Sequence, residues 1–161
     1  LWGMFVRDDQ VALDYLCTRP EVDAKRIGAT GISMGSTRSW WLAAVDDRIA
    51  CAAGVACLTR YENLLHHGHG TYYFVNGLLK NFDSEGVIAL IAPRPVLFLT
   101  GELDAGSPAD GIKVIEGKVG GVYKAAGEPD RFRSVRYPDV GHTYTPEMRK
   151  ELLAWFDRWL K

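Results

Sequence analysis

Apolar residues fall at helical spacings across residues 4–17, where Phe5, Ala12, Leu13 and Leu16 stand among acidic and polar neighbours. The run ends before Pro20, which disfavours helix at Arg19, so a first helix is predicted there. "RIGATGI" (26–32) reads as a short buried strand and "STRSWWLAAV" (36–45) as the helix that leaves it. "RIACAAGVAC" (48–57) and "RPVLFLTG" (94–101) are apolar almost throughout, as strands covered on two faces are. Residues 108–126 can hold a helix, weakened by Gly111, Gly117, Gly120 and Gly121. A last strand is expected near 131–137. Thr145 as cap and Pro146 at the first helical position then open a closing helix, with Met148, Leu152, Trp155, Phe156, Trp159 and Leu160 on one apolar face. Strands alternating with helices predict an α/β fold with a parallel sheet and helices on both of its faces.

Residues 58–92 interrupt this alternation with a longer polar and aromatic stretch containing "HHGHGTYYF". They are expected to form an insertion over the sheet edge, placed to line a substrate site. The other residues, and the 161-residue chain as a whole, read as one domain. With 47% hydrophobic and 24% charged residues and a formal charge of -1, the chain has no basic field for nucleic acid and no polybasic stretch for a membrane surface. Its longest apolar stretch, near "VIALIA", falls far short of the roughly 20 residues of a membrane span, and the opening "LWGMFVRDDQ" lacks a basic flank leading into a signal core. Cys17, Cys51 and Cys57 have no metal spacing and read as buried thiols of a reduced protein, which leans toward a cytoplasmic setting. His66, His67 and His69 lack a paired acidic or cysteine ligand at a matching spacing, so no metal is expected, and nothing else in the sequence implies a cofactor. Trp40 and Trp41 are expected to pack on the sheet.

The candidate chemistry begins at "GISMG". A serine between two glycines, after a strand and before a helix, suits a sharp turn that exposes its oxygen, although the same residue could serve only as a helix cap. The helix that follows would offer the Met34 N–H to a developing oxyanion. An alcohol needs a base to take its proton and a carboxylate to orient the base. Asp104 follows the apolar run in "GELDAGSP", with Glu102, Asp110 and Asp139 as nearby rivals, and His142 follows the last strand in "YPDVGHTYTP". Loops at the carboxyl ends of parallel strands are where open α/β sheets hold ligands. Tyr72, Tyr73 and Phe74 are candidates for a substrate wall or for a cover on the sheet.

Three blocks, "RPEVDAKRIGATGISMGS", "LIAPRPVLFLTGELDAGSP" and "YPDVGHTYTPEMRKELLAWFDRWL", resemble the C-terminal portion of α/β-hydrolase-fold esterases of the dienelactone hydrolase and acetyl xylan esterase kind. The resemblance implies Ser33 as nucleophile, His142 as base, Asp104 as acid and Met34 as one oxyanion donor. It also implies hydrolysis of small or short-acyl esters, with lactone or peptide cleavage as alternatives within the class. Ser36 stands where many relatives have a second glycine. The strands that precede the nucleophile strand in this fold have no counterpart here, so strand 26–32 should be an unpaired edge. Such an edge is a template for association, and a dimer through it, or pairing with a missing N-terminal fragment, is expected. The rival expectation is a catalytically incomplete remnant serving assembly or binding.

Overall fold

The computed structural model describes residues 1–65 and 74–161. Four strands, β1 (Ile27–Ile32), β2 (Ile49–Val55), β3 (Val96–Gly101) and β4 (Phe132–Tyr137), form one parallel sheet in the order β1-β2-β3-β4. The helices are α1 (Trp2–Cys17), α2 (Met34–Val45), α3 (Tyr61–Leu64), α4 (Ser84–Ala89), α5 (Ala109–Ala125) and α6 (Pro146–Trp159). Because strand order follows chain order, crossovers of one hand bring their helices to one face of the sheet. Residues of α1, α2, α4 and α5, among them Leu13, Trp40, Ile88, Ile115 and Tyr123, share one buried cluster with Ile49, Val96 and Phe98. The helix after the last strand covers the opposite face: Met148, Leu152 and Trp155 of α6 bury Cys51, Ala53, Val55, Leu97 and Leu99. β2 and β3 are covered on both sides, which is why they read as unbroken apolar runs.

Three features sharpen the sequence expectations. Helix α5 holds across its glycines because Ile112, Ile115, Val119 and Tyr123 recur on one buried face and outweigh their propensity cost. Within 58–92, α4 buries Val87 and Ile88 against the α2 and α5 side of the sheet, and its cap Asp83 accepts the Ser84 N–H at 2.6 Å. Strand β2 stops at Val55, two residues early, because Ala56 and Cys57 take positive φ values of 59° and 51°.

The start of β2 is locked to the end of α2. Half-buried Arg94 donates from Nη2 to the Ala43 carbonyl at 2.6 Å and from Nη1 to those of Asp46 and Ile49 at 3.0 and 2.8 Å, so carbonyls freed at the helix end find a charged donor. Beside it, Asp46 accepts the Arg48 backbone N–H at 3.2 Å, Nε at 2.8 Å and Nη2 at 2.6 Å, while Arg48 Nη1 reaches Asp14 of α1 at 2.7 Å. Trp2 stacks on Trp41 at 6.1 Å between ring centroids, and Trp41 on Trp40 at 5.5 Å, which fastens α1 to α2. The outer edge of β1 pairs with no strand among the described residues. A groove of about 440 Å³ runs along it, lined by Asp9, Leu13, Leu16, Gly28, Thr30 and Arg38.

The turn from β1 into α2 is crowded on one side only. A Cβ on Gly31 would lie 2.4 Å from the Gly35 carbonyl carbon and 2.8 Å from its Cα, whereas a Cβ on Gly35 meets nothing within 4 Å. Gly31→Ala is therefore expected to lower stability by about 3 kcal/mol, and Gly35→Ala to leave it unchanged or raise it by up to about 1 kcal/mol; urea midpoints of the two variants check the contrast. The hydrogen bonds from Arg48 hold the Asp46 carboxyl below its ordinary value of 3.8 against the opposing effect of burial. A depressed folded value contributes stability above the unfolded one and loses it as pH falls through the folded one. Asp46→Asn should thus be less stable than the parent at neutral pH. The gap should narrow as pH drops below about 4, read from urea midpoints at stepped pH.

Candidate active site

Ser33 completes the strand pairing and begins the helix at once. Its N–H donates to the Val55 carbonyl at 2.9 Å and its carbonyl accepts the Thr37 N–H at 3.1 Å. To do both, its backbone sits at φ 58° and ψ −122°, a conformation that L-residues avoid and that costs on the order of 1–3 kcal/mol. The side chain makes no capping hydrogen bond, so the hydroxyl is not used to start α2. The Met34 N–H stands at the first position of α2, where helix geometry provides no acceptor for it.

The other two strand ends are drawn together by a second close approach. A Cβ on Gly101, the last residue of β3, would lie 2.2 Å from the Val140 carbonyl oxygen and 2.5 Å from that of Gly141. Only a glycine lets the turn after β4 press on β3 this tightly. The turns are stitched by the Glu102 N–H to the Tyr137 carbonyl and the Leu103 N–H to the Val140 carbonyl, both at 2.9 Å. Asp104 then lies buried beneath His142, whose Nδ1 is 3.0 Å from each carboxylate oxygen. The Gly106 N–H at 2.9 Å and the Ser107 hydroxyl at 3.0 Å hold the carboxylate from behind. A buried carboxylate fixed in this way sets the orientation of the imidazole and leaves Nε2 to exchange a proton. The His142 side chain keeps 44% of its surface exposed, so that exchange is open to a ligand.

Of the rival acids, Glu102 and Asp139 are exposed, and Asp110 accepts the Asn63 amide at 2.7 Å; none bonds His142. Among the described residues no hydrogen bond joins Ser33 to His142. Ser33 Oγ instead stands 3.7 Å from the sulfur of Cys57. Phe74 is half-buried and packs against Tyr61 at 5.9 Å between centroids, and the Tyr61 hydroxyl accepts the Trp41 indole N–H at 2.9 Å. Tyr72, Tyr73, His66, His67 and His69 lie outside the described residues. Sequence reading passed over Ser107, although "DAGS" carries the Asp-turn signature that folds a hydroxyl back on a carboxylate. It reads Cys57 only as a buried thiol, although its place at the carboxyl end of the strand beside the serine was a usable signal for more.

Comparison with known proteins agrees with this architecture. The chain is 39% identical over 166 residues to "Putative hydrolase YtaP" of Bacillus subtilis (strain 168), covering 99% of this chain and 54% of that protein. It is 27% identical over 182 residues to dipeptidyl-peptidase 5 of Porphyromonas gingivalis, covering 25% of that protein. Among solved structures, a glucuronoyl esterase from Solibacter usitatus superposes with a TM-score of 0.79 at 18% identity, over 97% of this chain and 48% of the other, which shows a shared α/β-hydrolase-like fold. The chain thus spans about half the length of the first relative and a quarter of the second. The model of the dienelactone hydrolase family matches residues 3–154, nearly the whole chain, and the protein belongs to that family.

Proposed function

We propose that the protein is a serine hydrolase of carboxylic esters, acting on small or short-acyl substrates through an acyl-enzyme. The observation that carries this reading is the buried Asp104 carboxylate holding His142 Nδ1 at 3.0 Å, at the same end of the parallel sheet as a half-buried serine kept in a strained turn. His142 Nε2 takes the Ser33 hydroxyl proton as Oγ attacks the ester carbonyl, and the oxyanion forms against the Met34 N–H. The tetrahedral species collapses, the alcohol leaves with the proton from His142, and Ser33 remains acylated. Water, deprotonated by the same imidazole, attacks the acyl-enzyme and releases the carboxylic acid while Ser33 regains its proton. An oxyanion resting on a single donor would leave turnover about 100- to 1000-fold below that of a two-donor site.

Two other readings have support of their own. The resemblance to dipeptidyl-peptidase 5 favours peptide cleavage by the same machinery. The absence of a Ser33 to His142 hydrogen bond among the described residues favours a non-catalytic remnant. Membership of a lactone-cleaving family keeps lactones among the substrates. We also propose that the edge of β1 that meets no strand among the described residues is paired in the working protein, by a second copy across a two-fold axis or by an N-terminal segment.

Wild-type chain is expected to hydrolyse p-nitrophenyl acetate and butyrate. Ser33→Ala should abolish turnover without moving the melting temperature, and Asp104→Asn should reduce kcat about 1000- to 10,000-fold. Hydrolysis of an alanyl-alanine anilide in preference to the esters would select the peptidase. No turnover of either by a folded sample would select the remnant. Light scattering at micromolar concentration decides the edge: a mass twice that of the chain supports a second copy, and a monomer rules it out.

A further inference from the structure

The carboxyl end of β2 carries a distortion that strand pairing does not require. Val55 is still in register with Ile32, and the Ala56 N–H still donates to the Leu99 carbonyl at 2.8 Å, yet Ala56 and Cys57 both adopt left-handed backbone with side chains that disfavour it. Each costs on the order of 1–3 kcal/mol, and strain of this size persists where surrounding structure over-determines it, commonly beside a functional group. The distortion brings Cys57 against the serine. The buried Cys57 side chain meets Ser33, with Sγ 3.7 Å from Oγ.

The opposite arm of the constellation is complete. Asp104 and His142 are joined at 3.0 Å, and Asp104 is held by Gly106 and Ser107, so the base is oriented before any substrate arrives. The Ser33 hydroxyl contacts the thiol and makes no hydrogen bond to that base. A thiol is a weak hydrogen-bonding partner, strong enough to bias one staggered position of a small hydroxyl and weak enough to release it. Resting on the reading of Ser33 as nucleophile, we propose that Cys57 is a positioning residue that holds Ser33 Oγ in a resting rotamer beside its sulfur, and that the hydrogen bond to His142 forms by rotation about χ1 of Ser33 when a carbonyl compound occupies the site. Residue 57 thereby sets how readily the nucleophile arms.

The test compares Cys57→Ala, Cys57→Gly and Cys57→Ser with the wild type in the full chain. Two quantities are measured: the second-order rate of labelling by a fluorophosphonate, and kcat and KM for p-nitrophenyl acetate. Alanine and glycine remove the sulfur. Glycine also relieves the left-handed backbone, so one of the two folds even if the cavity left by alanine is poorly tolerated. Both are expected to label about two- to fivefold faster than wild type, with the gain in kcat and KM unchanged. Serine keeps a hydrogen-bonding group at nearly the same reach and bonds an alcohol more strongly than a thiol does, so labelling should slow by a similar factor. Melting temperatures should not follow this order. Slower or unchanged labelling on removal of the sulfur, or serine changing the rate in the same direction as alanine and glycine, would overturn the proposal. If the wild type does not label, or Ser33→Ala labels equally, the nucleophile assignment fails instead, and the two failures are told apart on the same samples.

Discussion

The backbone of Ser33 is the constraint on which the rest of the site is built. One residue ends the pairing of β1 with β2 and starts α2 without a loop, and this is possible only because Gly31 lets the backbone of Gly35 come within what would be 2.4 Å of a side-chain carbon. The strain at φ 58° is carried by the packing of α2 on the sheet, where Ser36, Thr37, Trp40 and Ala43 are buried. Arg94 secures the far end of the same helix by holding the Ala43 carbonyl. A helix fixed at both ends presents the hydroxyl of Ser33 and the N–H of Met34 in one place.

The second half of the site depends on the equivalent device at Gly101. Bare backbone there lets the β4 turn fold down on the β3 turn, so that a carboxylate and an imidazole separated by 38 residues in the chain come into contact. The two glycine approaches are independent of each other, one under the nucleophile candidate and one under the acid and base candidates. The sheet connects them through β2, whose carboxyl end contributes Cys57 between them.

Much of this was legible in the sequence, because the strongest signals were local or periodic. β2 and β3 showed as continuous apolar runs because both faces are covered, and α6 showed through Thr145, Pro146 and its apolar stripe; the Thr145 hydroxyl does accept the Met148 N–H, at 3.2 Å. Asp104 and His142 could be found because chain order and strand ends restrict where an acid and a base can stand. The two glycines flanking Ser33 look alike in sequence, yet only Gly31 lacks room for a Cβ, a difference that depends on which backbones approach each other in the fold. The positive φ of Ala56 and Cys57 and the burial of α4 come from contacts between distant segments, and no propensity or period encodes them, whereas the support of Asp104 by Ser107, three residues on, is a local turn that "DAGS" signals. The edge position of β1, which pairs with no further strand among the described residues, followed from the family resemblance and not from periodicity or spacing.

The central claim is that Ser33 forms the covalent intermediate. The most direct measurement is mass mapping of wild-type chain quenched in acid within milliseconds of mixing with p-nitrophenyl acetate. One acetyl group on the peptide containing Ser33, formed within the first turnover and absent after the substrate is exhausted, is the result expected. An acetyl group that appears only on lysines or the N-terminus, or turnover with no acetylated peptide at any time, would contradict the account.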